Sequence, residues 1–437
     1  MFDIKGTYTT AHVTTDDIDA KCVEQIRGLC GHPAFTNHIA IMPDAHAGKG
    51  AVIGFTMRLG SAIVPEVIGV DIACGVLGVR LDKPWDKPAE YDRLIRDNIP
   101  LGTEVRDEPV KLAAFAPCLP ELNEGLARFA VRLGLKHREV TLTSVAELLD
   151  EMGGHSWRGV GSLGGGNHFI EAGRTESGCD WLMIHSGSRS FGKKICEKWM
   201  TTAQIGPFTR SQTEDIFRAL RERAKAGEFP TSEIRTRYQA EAAARCHKYS
   251  GVAWLESEEA LGYLHDMLIA QAYAVINRRT MMKIILAATG FKAVETLETM
   301  HNYICTEEPM TIRKGAVSAR AGEKIIVPLN MAAGTLICRG LGNEAWNSSA
   351  PHGAGRRMSR SRAFRDLSAS AFARQMSDAG VFTNNDPQEV LDEAPGAYKP
   401  EDEIMALLPE TAEILEHVRP LHNIKAGEEH FGGRFRK

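Results

Sequence analysis

Asp71 and Cys74 interrupt the otherwise small and apolar stretch Val67-Ile-Gly-Val-Asp-Ile-Ala-Cys-Gly75, and any fold of this chain must provide for both. The residues before Asp71 have hydrophobic strand character, and the thiol follows three positions later. An unpaired charge in such a segment is costly to bury. A divalent cation is one partner that fits, because carboxylate offers a hard oxygen and thiolate a soft sulfur able to bridge two ions. A buried structural cysteine beside a turn aspartate is the other reading. Histidines set in glycine-rich, turn-prone sequence elsewhere in the chain favour the cation.

Composition narrows the class. The 437 residues are 43% hydrophobic and 25% charged, with a formal net charge of −4, which describes a globular chain with no global basic field. A polyanion site therefore has to be a local basic patch. Nine cysteines without a CxxC pair argue against a disulfide framework and a zinc knuckle. No signal peptide opens the chain, and no apolar run nears the length of about twenty residues that spans a membrane. The expected setting is a reducing cytoplasm. No repeat or low-complexity linker divides residues 1–437, so one domain is expected.

Along the chain, a helix is expected near Asp16–Leu29, capped by Thr14, Thr15 or Asp16. His38–Met42 reads as a strand that ends in the loop Pro43-Asp-Ala-His-Ala-Gly-Lys-Gly50, which carries Asp44, His46 and Lys49. That loop lacks the spacing of a Walker A motif. Strands follow at Ala51–Leu59 and Val76–Leu81. Residues 88–150 turn helical, with Thr143 or Ser144 capping Thr141–Leu149. The run Gly159-Val-Gly-Ser-Leu-Gly-Gly-Gly-Asn-His-Phe-Ile-Glu171 delivers Asn167, His168 and Glu171 from glycines that permit close approach to a ligand. Trp181–His185 is a strand ending on a histidine ahead of Ser186-Gly-Ser-Arg189, which suits either a metal ligand next to an oxyanion-binding turn or a core histidine satisfied by a backbone carbonyl. Residues 210–290 read as a helical insertion, a hairpin projecting from the body, with His247 and His265 on its faces. Residues 311–345 are β-rich. His352 sits between Pro351 and Gly353, ahead of Arg356, Arg357 and Arg360, whose guanidinium groups suit phosphate. An amphipathic helix is expected over Glu401–Val418, and residues 427–437 read as an exposed basic tail.

Taken together, Met42-Pro-Asp-Ala-His-Ala-Gly-Lys-Gly50, Gly69-Val-Asp-Ile-Ala-Cys-Gly75, Gly164-Gly-Gly-Asn-His-Phe-Ile-Glu171, His185-Ser-Gly-Ser-Arg189, His301-Asn-Tyr303, Arg313-Lys-Gly-Ala-Val-Ser-Ala-Arg320 and His352-Gly-Ala-Gly-Arg356 resemble the RtcB family of RNA ligases. The resemblance runs from about residue 38 to 426. It implies a mixed α+β fold in one large catalytic domain, with a β-sheet core around a dinuclear metal cleft. It further implies two Mn²⁺ ions bridged by Cys74, with His168 and His185 completing one shell and Asp71 and His301 the other. His352 is the implied nucleophile toward GTP, forming a histidine–GMP adduct. Asn167, Phe169, Glu171, Tyr398 and Lys425 are implied around the nucleotide, and Arg189, Lys314 and Arg356 around phosphates. The implied substrates are RNA 3′-phosphate or 2′,3′-cyclic phosphate ends and 5′-hydroxyl ends, joined by a monomer, with room for an activating helper protein. Two other functions stand beside this one: a guanylyltransferase that caps 3′-phosphate ends of DNA or RNA, and a silent RNA-binding relative. Ala73, Pro351 and Pro328-Leu-Asn-Met-Ala-Ala-Gly334 depart from the family's usual residues, which marks a divergent branch.

Overall fold

The computed structural model describes residues 1–205, 210–245 and 252–427. Its strands are β1 (Phe2–Lys5), β2 (Thr10–Val13), β3 (Ile39–His46), β4 (Ile53–Arg58), β5 (Gly75–Leu81), β6 (Phe169–Arg174), β7 (Asp180–Ser186) and β8 (Ala293–Met300). The C-terminal half adds β9 (Tyr303–Cys305), β10 (Thr311–Lys314), β11 (Ala316–Ser318), β12 (Lys324–Asn330), β13 (Gly334–Gly340), β14 (Ser349–Pro351) and β15 (Ala412–Ile424). A six-stranded sheet runs β1-β2-β3-β4-β10-β9, a seven-stranded sheet runs β12-β13-β15-β6-β7-β5-β8, and β11 pairs with β14. With helices packed on these sheets the fold is of the mixed α+β class.

The seven-stranded sheet curls until its edge strands meet, Lys324 of β12 reaching Glu295 of β8 at 2.6 Å. The two-residue period of its strands then sorts side chains between a concave and a convex face. Val76, Phe169, Trp181, Met183, Ile326, Ile337 and Val418 pack together on the concave side. Leu77, Val79, Ile170, Leu182 and Ile184 face the other way, against Met281, Met282 and Ile285 of the helix Ser257–Thr289. Counting by twos from this core, Glu171 and His185 fall on the concave face beside Phe169 and Trp181. The site is therefore fixed by strand alternation before any loop is considered.

Several expectations from the sequence are corrected. The segment before Asp71 is a short helix, Pro65–Ile68, opened by Pro65 at its first turn. β3 continues through Pro43 to His46, so Asp44 and His46 sit on a strand end. The first helix starts at Ala20 with Asp19 as cap, and Thr141 caps Leu142–Glu151 with Ser144 returning the bond. The helix expected over Glu401–Val418 stops at Leu407, and Ala412–Ile424 is β15, a strand between β13 and β6. The helical region 210–290 divides into two parts. Arg210–Lys225 and Ile234–Arg245 share a small apolar cluster of their own, with Ile216, Leu220, Phe229 and Tyr238. Ser257–Thr289 instead is core, without an exposed residue from Glu259 to Arg278, as at Leu264, Met267, Ile269 and Tyr273, and opens to solvent on one face beyond, at Arg279 and Lys283. His265 lies on this helix, and its Nδ1 donates to Asp266 Oδ1 at 3.0 Å. His247 and the tail beyond residue 427 fall outside the described residues. Among the described residues no helix is long and apolar enough to cross a membrane.

Candidate active site

Strand register gathers the metal-ligand candidates. Gly75 pairs with Ser186 on one side and with Met300 on the other. Cys74, His185 and His301, each next to a paired residue, therefore meet at one end of β7-β5-β8. The backbone reinforces this, His301 N–H donating to Cys74 O at 2.8 Å and Ala73 N–H to Asn302 O at 2.9 Å. Ala73 and Asn302 both adopt left-handed φ, 54° and 59°, conformations a non-glycine residue takes only when its surroundings enforce them. His168 comes in from the glycine loop just ahead of β6.

Two donor groups result, Asp71 with Cys74 and His168, and Cys74 with His185 and His301, and in each the donor atoms lie within 4.8 Å of one another. Cys74 is shared, as expected, but the partition differs from the expected one. His168 keeps company with Asp71 at 2.8 Å and His185 with His301 at 3.2 Å, because β7 and β8 flank β5 and bring their histidines together at its Cys74 end, while His168 comes in from the loop ahead of β6.

The tautomers show what these donors are for. His168 Nδ1 donates to Leu163 O at 2.9 Å and His185 Nδ1 to Asn167 O at 3.1 Å. In the neutral rings each Nε2 is then a lone pair. His168 Nε2 faces Asp71 Oδ2 at 2.8 Å, and His185 Nε2 faces Cys74 Sγ at 3.1 Å and His301 Nε2 at 3.2 Å. A divalent cation in each group would satisfy the converging donor atoms together. Burial holds His185 and His301 far below the usual histidine range, so protonating them is disfavoured. Burial, then the Asp71 charge, pushes the Cys74 thiol well above its usual range, a cost a coordinated metal removes by taking the thiolate. The residues fit a pair of thiolate-bridged divalent ions, with both carbonyl-locked imidazoles already oriented.

A cavity of about 340 Å³ opens from this cluster, lined at one end by His185, His301 and Asn302 and further along by His352. Asp44, wholly buried, accepts from His352 Nδ1 at 2.6 Å and from its backbone N–H at 3.2 Å. The proton is thereby held on Nδ1 and the lone pair on Nε2. The His352 and His301 rings lie 4.6 Å apart, which places the free imidazole beside the donor cluster. His46 also lines the cavity, its charge suppressed by burial to a value of about 4.

Asn167, Phe169, Glu171, Tyr398 and Lys425, the five residues expected around the nucleotide, line the same cavity, Asn167 and Phe169 directly against His185. Glu171 accepts from Thr335 Oγ1 and Asn423 Nδ2, each at 3.0 Å, and burial pushes it up to about 7. Lys425 lies 5.4 Å from the Phe169 ring centre. The hub here is Glu393, which the sequence reading missed. It pairs with Lys425 at 2.8 Å, Arg356 at 3.1 Å and Arg360 at 2.6 Å, and accepts from Tyr398 Oη at 2.6 Å. It belongs to the short turn Leu391–Glu393 ahead of Tyr398. Its signal in the sequence was only an acidic pair, Asp392-Glu393, which reads as surface.

The other expected phosphate residues are placed unequally. Arg356 lines the cavity but is tied to Glu393, Asp392 O and Met358 O. Arg189 lies against the glycine loop, donating to Ser162 Oγ at 3.1 Å and Gly102 O at 2.7 Å. Lys314 does not line the cavity. Its ammonium binds Lys49 O at 2.5 Å and Glu66 O at 3.0 Å beneath the turn that leads to Asp71, and burial lowers it to about 8.

The sequence profile described as tRNA-splicing ligase RtcB matches residues 25–426. The chain is 31% identical over 443 residues to the RNA-splicing ligase RtcB of Escherichia coli (strain K12), covering 93% of this chain and 95% of that protein. It is 27% identical to the RNA-splicing ligase RtcB of Mycobacterium tuberculosis, across 87% and 94% of the two chains. It is 23% identical to the tRNA-splicing ligase RtcB of Nanoarchaeum equitans, across 92% and 91%. Matched over nearly its whole length, with Asp71, Cys74, His168, His185 and His301 clustered beside the cavity that His352 lines, the chain belongs to the RtcB family.

Proposed function

We propose that the protein is a GTP- and Mn²⁺-dependent RNA ligase joining 3′-phosphate or 2′,3′-cyclic phosphate ends to 5′-hydroxyl ends through a histidine–GMP adduct. The observation that carries this reading is a cavity lined by polar and aromatic residues of nucleotide-binding character and by a carboxylate-oriented imidazole, with the clustered donors beside it. Asp71, Cys74 and His168 would hold one ion and Cys74, His185 and His301 the other. When bound, the ions supply positive charge to the phosphoryl oxygens.

His352 Nε2 attacks the α-phosphorus of GTP, forming a P–N bond as pyrophosphate leaves. Asp44, on Nδ1, steadies the positive charge that the ring then carries, as a buried carboxylate does for any imidazolium it orients. An RNA 3′-phosphate oxygen attacks the same phosphorus, the P–N bond breaks, and His352 returns to the neutral ring. A cyclic end is first hydrolysed to the 3′-phosphate. The 5′-hydroxyl finally attacks the 3′-phosphorus of the activated end and GMP leaves. Arg189 and Arg356 are proposed to meet phosphates, which for Arg356 means exchanging part of its pairing with Glu393 for the ligand. Lys314 is proposed to act through the turn it holds under Asp71.

The test is incubation with α-labelled GTP and Mn²⁺. The expected result is an acid-labile covalent label, lost in His352→Ala, and closure of a nicked hairpin bearing 3′-phosphate and 5′-hydroxyl ends. Labelling that survives in His352→Ala overturns the nucleophile assignment. Accumulation of a guanylylated strand without closure would favour an end-capping enzyme. Absence of both labelling and closure would favour a silent RNA-binding protein.

A further inference from the structure

The helix Ser257–Thr289 carries two adjacent polar residues, Asn277 and Arg278, that are completely buried. Neither belongs to a motif of the site, and both spend their hydrogen bonds on its loops. Asn277 Oδ1 accepts from Gly161 N–H at 2.7 Å and Ser162 N–H at 3.2 Å, while Nδ2 donates to Ser186 Oγ and Gly187 O, each at 3.1 Å. Ser186 Oγ passes the connection on to Leu163 O at 2.7 Å, the same carbonyl that fixes the His168 tautomer. Gly187, held by Asn277, packs so closely on the Asp71 carboxylate that a Cβ there would collide with it.

Arg278 does the same for the other donor group. Its Nη1 donates to Ala73 O at 2.8 Å and Ser186 O at 2.9 Å, while Nε pairs with Glu298 at 2.9 Å. Ala73 precedes Cys74 and Ser186 follows His185. One guanidinium nitrogen thus links the residues flanking the two donors whose atoms stand 3.1 Å apart. Burying this cation is expensive, and an apolar side chain of the same volume would generally fill the space at less cost. Holding two carbonyls in a fixed relation is what such a chain could not do.

We propose that Asn277 and Arg278 are positioning residues that set the spacing of the metal donors, Arg278 for Cys74 with His185, Asn277 for His168 with Asp71. The inference rests on the metal-binding reading of the donor cluster, so its test must tell the failure of one from the failure of the other. The metal-free full-length protein is titrated with Co²⁺, followed by its thiolate charge-transfer and ligand-field bands, and with Mn²⁺ by calorimetry. The wild type is expected to take two ions per chain. Arg278→Met and Asn277→Leu are expected to weaken binding by about 10- to 100-fold, the range seen when groups orienting metal ligands are removed, with altered cobalt bands. Arg278→Lys keeps the charge and one donor direction, and is expected to recover part of the affinity. Asp266→Asn is the control. Asp266 lies on the same helix and accepts from Trp199 at 2.8 Å and Lys198 at 3.2 Å, away from the donors. It should lower thermal stability while leaving affinity and spectrum unchanged.

A wild type that binds no ion overturns the metal reading itself. Variants with wild-type affinity and bands, or an Asp266→Asn that loses affinity equally, overturn the positioning role. Where Arg278→Met fails to fold, Arg278→Lys decides, and wild-type affinity together with wild-type bands in that variant overturns the proposal.

Discussion

Glu171 is 3% exposed, and burial lifts its carboxyl from 4.5 to about 7 despite hydrogen bonds from Thr335 and Asn423. An acid whose folded value is raised holds its proton in the native state after the unfolded chain has released it. Stability therefore falls as pH rises between 4.5 and about 7, and the deficit persists above that. Glu171→Gln has no such proton to lose. The variant is expected to match the wild type near pH 4 and to exceed it at pH 8 by on the order of 3–4 kcal/mol, since each unit corresponds to about 1.4 kcal/mol. Urea titrations at the two pH values check this. On the proposed nucleotide-binding role of this cavity, the same substitution is expected to weaken GTP binding, because a carboxylate that would accept from a base edge becomes an amide. Gain of stability with loss of ligand would identify Glu171 as a group kept at a cost to the fold. Equal stabilities at pH 8 would mean that the carboxyl is not desolvated in the native state.

At the scale of elements, Glu393 shows both what a short turn contributes and why it escapes a reading of the sequence. Leu391–Glu393 is a single turn with no periodicity, so nothing in its pattern marks Glu393 as buried, yet three cations and a tyrosine converge on it. Those cations hold it down to about 2 against the upward push of burial. A depressed acid stabilises above its unfolded value and loses that contribution as pH falls toward the folded one. Glu393→Gln is expected to cost on the order of 3 kcal/mol at pH 7, since it leaves buried cations without their counter-charge. The gap from wild type should close between pH 4.5 and 2 in chemical denaturation.

The strands of the site were more legible. Phe169–Arg174 and Asp180–Ser186 are short apolar runs bounded by turn residues, and the motif residues on them landed on the cavity as expected. The long helix Ser257–Thr289 was recognised as helical, but apolar residues surround its middle and polar ones such as Asp266, Asn277 and Arg278 are buried among them, so no single face marked its place in the core. Glu401–Val418 mixes charges with aliphatics in a way that suits either period, and tertiary pairing with β13 and β6 decided for a strand over Ala412–Ile424. The partition of donors between the two groups was likewise out of reach, because it follows from the order β7-β5-β8.

In the whole molecule, residues from Asp44 to Lys425 close around one cavity, and the proposed reaction asks different parts of it to act at different times. Adduct formation needs His352 with Asp44 behind it. On this proposal, sealing of an already activated end needs only phosphate charge compensation and alignment of the 5′-hydroxyl, which the donor cluster and arginines would serve. His352→Ala is therefore expected to form no labelled adduct, yet to join a 5′-hydroxyl strand to RNA presynthesised with a guanylyl diphosphate at its 3′ end, within about tenfold of the wild-type rate. That allowance is the loss of about 1.4 kcal/mol of barrier lowering. Asp71→Ala and His301→Ala are expected to fail on the same activated RNA by at least about 10²-fold, as when a group stabilising transition-state charge is removed. Single-turnover ligation of the activated strand measures all three variants directly. The His301 and His352 rings are only 4.6 Å apart, so the partition is exposed to one failure. A folded, metal-loaded His352→Ala that cannot seal would show that the imidazole also supports the final step, through its contact with the donor cluster. Sealing by Asp71→Ala at the wild-type rate would instead remove the Asp71 group from the chemistry of the last step.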